Sequence, residues 1–256
     1  MAAVAVSPTP TAAAQWEAFL EPYREAELAS AEPGVIREIL VAEGSRVTSG
    51  EVLLTLDSSA VEAGLAVARA RAAERGALAA TDAALRSARN RLATLDKLAA
   101  SGHARAEELQ VARADVEIAR ANRLRAEEER RARELEVVRF ETELARHRIA
   151  SPFDAVVVRV HKEVGEALRP LDEAAVTIAE LDRLRIVFNV EPSAAREMAA
   201  GESVQIRCPE LAAEPSATVE HVSPVTEADS GTVRVRAAVD NRDGRLRSGA
   251  RCAMIR

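Results

Sequence analysis

The chain has 256 residues, a formal net charge of −6 and an aromatic content of 2%, enough length for two or three modest domains but few aromatics to line a large apolar pocket. Acidic and basic residues are interspersed, which excludes the electrostatic footprint of a nucleic-acid binder. The two cysteines, Cys208 and Cys252, lie outside any CxxC or Cys/His spacing, which argues against zinc and against a thioredoxin-type pair; whether they meet in a folded C-terminal domain is left open by the sequence.

Residues 1–24 read as a flexible lead-in. They are rich in small residues, contain Pro8 and Pro10, and carry a short amphipathic turn at Trp16, Phe19 and Leu20. They have neither a basic n-region nor a continuous apolar h-region, so no secretory signal is expected. No later stretch approaches the roughly 18 apolar residues of a spanning helix.

Residues 25–57 form short β-type runs broken by glycine. Val35, Ile39 and Val41 recur largely on one face, with Glu43-Gly44 and Ser49-Gly50 at turn positions and Val52-Leu53-Leu54-Thr55-Leu56 closing the segment. About 30 residues cannot close a core alone. Residues 148–181 supply a second such segment: a shift of 121 positions puts Gly34 on Ala155, Val35 on Val156, Ile36 on Val157, Ile39 on Val160, Gly44 on Gly165 and Val47 on Leu168. The reading is an internal repeat split by an insertion, each half covering the apolar face of the other.

The insertion, residues 58–147, contains no proline, and only Gly64, Gly76 and Gly102 interrupt good helix formers. Leu85, Ala88, Leu92, Leu95 and Ala99 step by threes and fours, as do Leu109, Ala112, Val116 and Ala119. Ser101-Gly102-His103 separates these arms, so the spacing predicts two antiparallel helices of about 40 residues, roughly 60 Å each at 1.5 Å per residue. The charged stretch Arg123 to Glu136 reads as a solvated face with i,i+4 ion pairs such as Glu127 with Arg131. Residues 182–256 return to short strands, with a helix starting at Pro192-Ser193 and a turn at Asn241-Arg242-Asp243-Gly244, a pattern that predicts a small β-barrel.

The phrases Pro33-Gly34-Val35-Ile36, Val41-Ala42-Glu43-Gly44-Ser45-Arg46-Val47 and Ile149-Ala150-Ser151-Pro152-Phe153-Asp154-Ala155-Val156-Val157 resemble the two halves of the lipoyl-like domain in periplasmic adaptors of the hemolysin D type, the membrane fusion proteins. Ala179-Glu180-Leu181-Asp182 and Asn241-Arg242-Asp243-Gly244-Arg245-Leu246 resemble the start and end of the adaptor barrel. The resemblance implies an α+β chain: a split lipoyl-like β-domain interrupted by a long antiparallel α-helical hairpin, followed by a small β-barrel. It implies a periplasmic, inner-membrane-associated homo-oligomer that sits on an ATP-driven or proton-driven transporter and points its hairpin toward an outer-membrane duct. The alternative from the sequence is a coiled-coil scaffold without a transport role.

The hairpin tip is the candidate partner site: Arg91, Leu95, Leu98, Ser101, Gly102, His103, Arg105 and Leu109. Adaptors that dock on ducts carry an arginine, a leucine four later and a serine seven after that; here Arg91 and Leu95 fit and Gly102 takes the third place, beside Ser101. The chain reaches Arg256 without the membrane-proximal domain that the resemblance implies, so a truncated or short member is expected. No cofactor and no catalysis are expected. A lipoyl or biotinyl carrier needs a lysine at the turn between its halves, where this chain has Asp57-Ser58-Ser59, and the four histidines, His103, His147, His161 and His221, share no metal-ligand spacing.

Overall fold

The computed structural model describes residues 15–169, 174–209 and 214–255. In chain order the elements are β1 (Gln15–Leu28), β2 (Gly34–Ile39), β3 (Arg46–Val47), β4 (Val52–Leu56), α1 (Ser59–Ala73), α2 (Gly76–Ala100), α3 (Ala106–Arg146), β5 (Arg148–Ala150), β6 (Ala155–Val160), β7 (Ala167–Leu168), β8 (Val176–Val190), α4 (Pro192–Ala195), β9 (Ser203–Arg207), β10 (Ser216–Thr226), β11 (Val233–Asp240) and β12 (Arg251–Ile255). Two compact units result: Leu56–Arg148, which is helical, and a β unit assembled from the chain on either side of it.

The repeat is structural. β2 and β6 lie 121 residues apart at both ends, and so do β3 and β7. Each half pairs with the other: Gly34 opposes Leu168, and the equivalent Ala155 opposes Val47. The backbone bonds repeat in the same way. Gly44 N–H donates to Val157 O at 2.8 Å and Gly165 N–H to Ile36 O at 2.9 Å; Val157 N–H donates to Ser45 O and Ile36 N–H to Glu166 O, both at 2.9 Å. Gly44 and Gly165 hold φ of 84° and 92°, a conformation that costs a side chain at both turns. Between them the buried Ile36, Val47, Val157 and Leu168 form the shared interior. Two strand pairs exchanged between halves are what allow segments too small to close a core separately to close one together.

The barrel runs β1-β12-β9-β10-β11-β8 and closes through pairing of β1 with β8. This corrects the reading of residues 1–24 as a flexible lead-in. Residues 15–24 are strand, and residues 1–14 lie outside the described residues. Gln15–Phe19 pair with β12, and from Leu20 onward β1 pairs with β8, with a register shift between Pro22 and Arg24. Trp16, Ala18 and Leu20 turn toward the core and Glu17, Phe19 and Glu21 toward solvent, the period of two that a half-buried strand requires. Without β1 the strands of residues 182–256 would leave two open edges; with it the edge problem disappears. β8 also runs unbroken across residues 181 and 182, so the boundary expected there falls inside one strand.

Leu20, Leu184, Ile186, Phe188, Ile206 and Met254 fill the barrel at 0–1% exposure. Cys252 on β12 and Cys208, just past the end of β9, form a disulfide inside this core. The Asn241 turn is tied inward. Its side-chain amide donates to Leu181 O at 2.9 Å and Leu246 O at 3.0 Å, and its Oδ1 accepts from Leu246 N–H at 2.8 Å.

The helical unit is an antiparallel hairpin whose first arm is interrupted. α1 ends at Ala73, Glu74 is extended (φ −65°, ψ 119°), and α2 restarts at Gly76, so the expected single first-arm helix is two. α3 is continuous across from both. Near the base Leu65 and Ala68 are buried, and Gly64 has no room for a Cβ, which would lie 2.5 Å from Phe140 Cε1. Toward the tip Leu85, Val116 and Ala119 form a small core with Ala88 and Leu92 against it.

Between these two patches the arms are joined by polar contacts. Arg123 Nε bonds Asp82 at 2.6 Å and Arg133 approaches Glu74 at 3.7 Å. The bond and charge of Asp82 push the Arg123 pKa above its ordinary value. The charged stretch forms the expected i,i+4 ladder through Arg125–Glu129 and Arg130–Glu134. Glu127, however, bonds Arg123 at 3.0 Å rather than Arg131: the arginine on the inter-arm side is already held by Asp82 and presents a fixed partner.

Candidate functional site

The tip is built by the end of α2 and the start of α3. Leu98 O collects three donors: Ser101 N–H at 3.2 Å, His103 N–H at 2.8 Å and Ser101 Oγ at 2.9 Å. Gly102 at φ 77° reverses the chain, the left-handed C-terminal cap that glycine supplies without steric cost. His103 Nδ1 lies 3.2 Å from Ser101 Oγ. α3 then opens on Arg105, whose backbone N–H donates to the Glu108 carboxylate at 3.1 Å, using one of the N–H groups that a helix start leaves without an internal partner.

These bonds divide the expected site residues into three groups. Ser101, Gly102 and His103 make the turn and are exposed. Arg91, Leu95 and Arg105 line a shallow groove of about 350 Å³ whose other wall is Glu107, Glu108 and Val111. Leu98 is 42% exposed beside the turn, whereas Leu109 is half-buried. Arg91 and Leu95 share a face because they lie one helical turn apart. Arg113 Nη2 and Asp96 approach to 3.9 Å across the arms just below.

The second wall was not foreseen, and its signal was present. Val111 and Ile118 are apolar, seven residues apart and off the Leu109–Ala112–Val116–Ala119 seam, and they stand 52% and 60% exposed. Apolar residues off the seam of a two-helix rod have nothing of their own to cover them. Chemically the tip offers leucine and valine contact area flanked by guanidinium and carboxylate groups. Among the described residues no cluster of three or more His, Cys, Asp and Glu side chains could hold a metal ion, and no helix is long and apolar enough to cross a membrane. His161 is engaged with Thr177 at 2.8 Å and His147 with Glu143 O at 2.9 Å.

Residues 186–255 match the CusB-like β-barrel domain family. No curated protein matches the sequence. Solved structures similar over most of the chain include three of particular relevance. MacA from Actinobacillus actinomycetemcomitans is 22% identical, with a TM-score of 0.72 over 95% of this chain and 78% of that one. The membrane fusion protein Spr0693 from Streptococcus pneumoniae R6 is 16% identical, with a TM-score of 0.61 over 94% and 97%. ZneB from Cupriavidus metallidurans is 22% identical, with a TM-score of 0.53 over 95% and 70%.

Proposed function

We propose, from a chain whose fold is that of membrane fusion proteins, that it is a periplasmic adaptor subunit linking an inner-membrane efflux or secretion transporter to an outer-membrane duct. It acts structurally rather than as an enzyme: copies associate into a ring through their β units, and the hairpin tips carry the contact with the duct. The observation that carries this reading is the tip itself, a tightly bonded glycine turn with Leu98 and Val111 exposed and Leu95 half-buried beside Arg91 and Arg105. A two-helix rod buries only a narrow seam and is a poor way to gain stability, so exposed apolar groups at its end favour a partner over a core. The Cys208–Cys252 disulfide supports an oxidising compartment such as the periplasm.

The test is transport in cells with Leu98→Glu and Val111→Glu, both at exposed positions, paired with thermal melting of the purified protein. The expected result is loss of transport with melting within about 2 °C of the parent, since surface changes are usually within about 0.5 kcal/mol. A photo-crosslinking amino acid at Leu98 is expected to capture an outer-membrane protein. Unchanged transport in both variants would remove the tip from the mechanism. A chain that captures no membrane protein and supports no transport would instead fit a free-standing coiled-coil scaffold.

A further inference from the structure

The outer face of the barrel carries a polar pocket of about 340 Å³. Its origin is a difference in side-chain length between adjacent strands. On β8, Val187 lies beside Arg185, which is two residues back on the same face; on β11, Arg236 opposes Val187 and Ala238 opposes Arg185. Short side chains thus alternate with arginines in both directions, and the arginines stand around a floor made by Val187. Arg234 on β11 and His221 on β10, which opposes Arg236, complete that wall.

Of the three guanidinium groups, Arg236 is paired with Glu220, while Arg185 and Arg234 make no ion pair among the described residues. Arg185 lies over the Tyr23 ring at 5.0 Å, with Arg183 on the same ring at 3.9 Å. The Tyr23 hydroxyl donates to Glu220 at 2.9 Å, and Glu220 also takes Arg183 at 3.0 Å and Arg236 at 3.7 Å. Glu220 is therefore already engaged by Tyr23, Arg183 and Arg236. Glu21 sits opposite Arg185 in register, yet the side chain of Arg185 turns to Tyr23, and its Nε is buried with no protein acceptor. Arg234 is exposed and makes no ion pair among the described residues. The pocket's own charges are three arginines against Glu21 and Glu227, which line it as well.

We infer that this pocket binds an oxyanion, a phosphate or carboxylate group taken by the planar forks of Arg185 and Arg234 with Arg236 beside them. Guanidinium forks match such groups with two parallel N–H···O bonds, and Tyr23 stacking fixes one fork before the ligand arrives, which lowers the ordering cost of binding. The inference rests on the barrel alone and stands whether or not the chain is an adaptor. The same oxyanion could be free in solution or part of a lipid headgroup.

The experiment is calorimetric titration of the whole chain with inorganic phosphate and with citrate at low ionic strength, alongside flotation with phosphatidylcholine vesicles with and without phosphatidic acid. The expected result is saturable binding, weakened about tenfold or more in R185Q/R234Q and tightened in E21Q/E227Q, where the opposing carboxylates are gone. R159Q, on β6, is expected to bind like the parent. Binding of soluble phosphate or citrate assigns a free anion; vesicle binding that needs phosphatidic acid and is lost in R185Q/R234Q assigns a headgroup. Where the double variant fails to fold, R234Q alone at an exposed position serves. Absence of saturable binding in every arm, or equal affinity in R234Q and the parent, overturns the inference.

Discussion

Replacing both Cys208 and Cys252 with alanine removes a crosslink between strands that are neighbours in the barrel but 44 residues apart in sequence. In the chain-entropy description, a closed loop of that size restrains the unfolded chain by about 13 cal/mol/K, or roughly 4 kcal/mol at 25 °C. Both sulfurs sit in the core at 1% exposure, so the alanines also give up a small buried apolar volume and no compensating contact is gained. With a urea dependence of about 2 kcal/mol per molar, the midpoint is expected to fall by roughly 2 M. The chain supplies its own local probe: its single tryptophan, Trp16, lies on β1 against the barrel core and donates to Glu191 at 2.7 Å. Urea titration followed by tryptophan fluorescence therefore reads the barrel, and the parent in dithiothreitol should move to the variant's midpoint. A double variant whose midpoint stays within about 0.3 M of the parent would refute both the crosslink and the energetics assigned to it.

Gly64→Ala is expected to destabilise the hairpin base, because the new Cβ would lie 2.5 Å from Phe140 Cε1; in a Phe140→Ala background the same change should stabilise it by about 1 kcal/mol, the helix preference of alanine over glycine. Melting followed at 222 nm gives the four corners of that cycle, and the same sign in both backgrounds would show that the ring does not set the cost. Asn241→Ala, at a side chain 4% exposed, is expected to cost about 2–4 kcal/mol by stranding Leu246 N–H and the carbonyls of Leu181 and Leu246, read as an earlier fluorescence transition in urea. A variant within about 0.5 kcal/mol of the parent would mean that water replaces all three bonds.

The repeat was legible because glycine and apolar positions recur at one offset. Ile36 and Val157, or Gly44 and Gly165, meet the same steric demand twice. The hairpin turn was legible because Ser101-Gly102-His103 separates two arms that share the same spacing of threes and fours. β1 was not. Trp16, Phe19, Leu20 and Tyr23 are spaced as one face of a helical turn, and Pro22 argues against a strand. The inward set Trp16, Ala18 and Leu20 is just as regular, but it becomes decisive only when β8 and β12 present edges to cover, and those lie far along the chain. The break at Glu74 and Arg75 is silent in the same way. Neither residue opposes a helix, and only the change from apolar seam to ion pairs between Ala68 and Leu85 marks the place. At the tip, Arg91 and Leu95 could be named from the family resemblance and Arg105 from its place beside the turn, while Val111 and the acids beside it belong to a wall that exists only after the arms are laid side by side.

The exchanged strands of the β unit have a kinetic consequence. β2 must find β7 and β6 must find β3 across the whole helical insertion, contacts of long sequence separation that slow folding. The hairpin shortens that search, because its two ends meet: Leu56 N–H donates to His147 O at 2.8 Å. Once the local helical contacts have formed, a span of roughly ninety residues behaves as a loop of a few, which lowers the closure cost by about 3 kcal/mol. Residues inserted symmetrically in both arms leave that junction where it is, so hairpin length can drift over generations, by about 10 Å for each seven residues per arm, while the nucleation of the β unit stays the same.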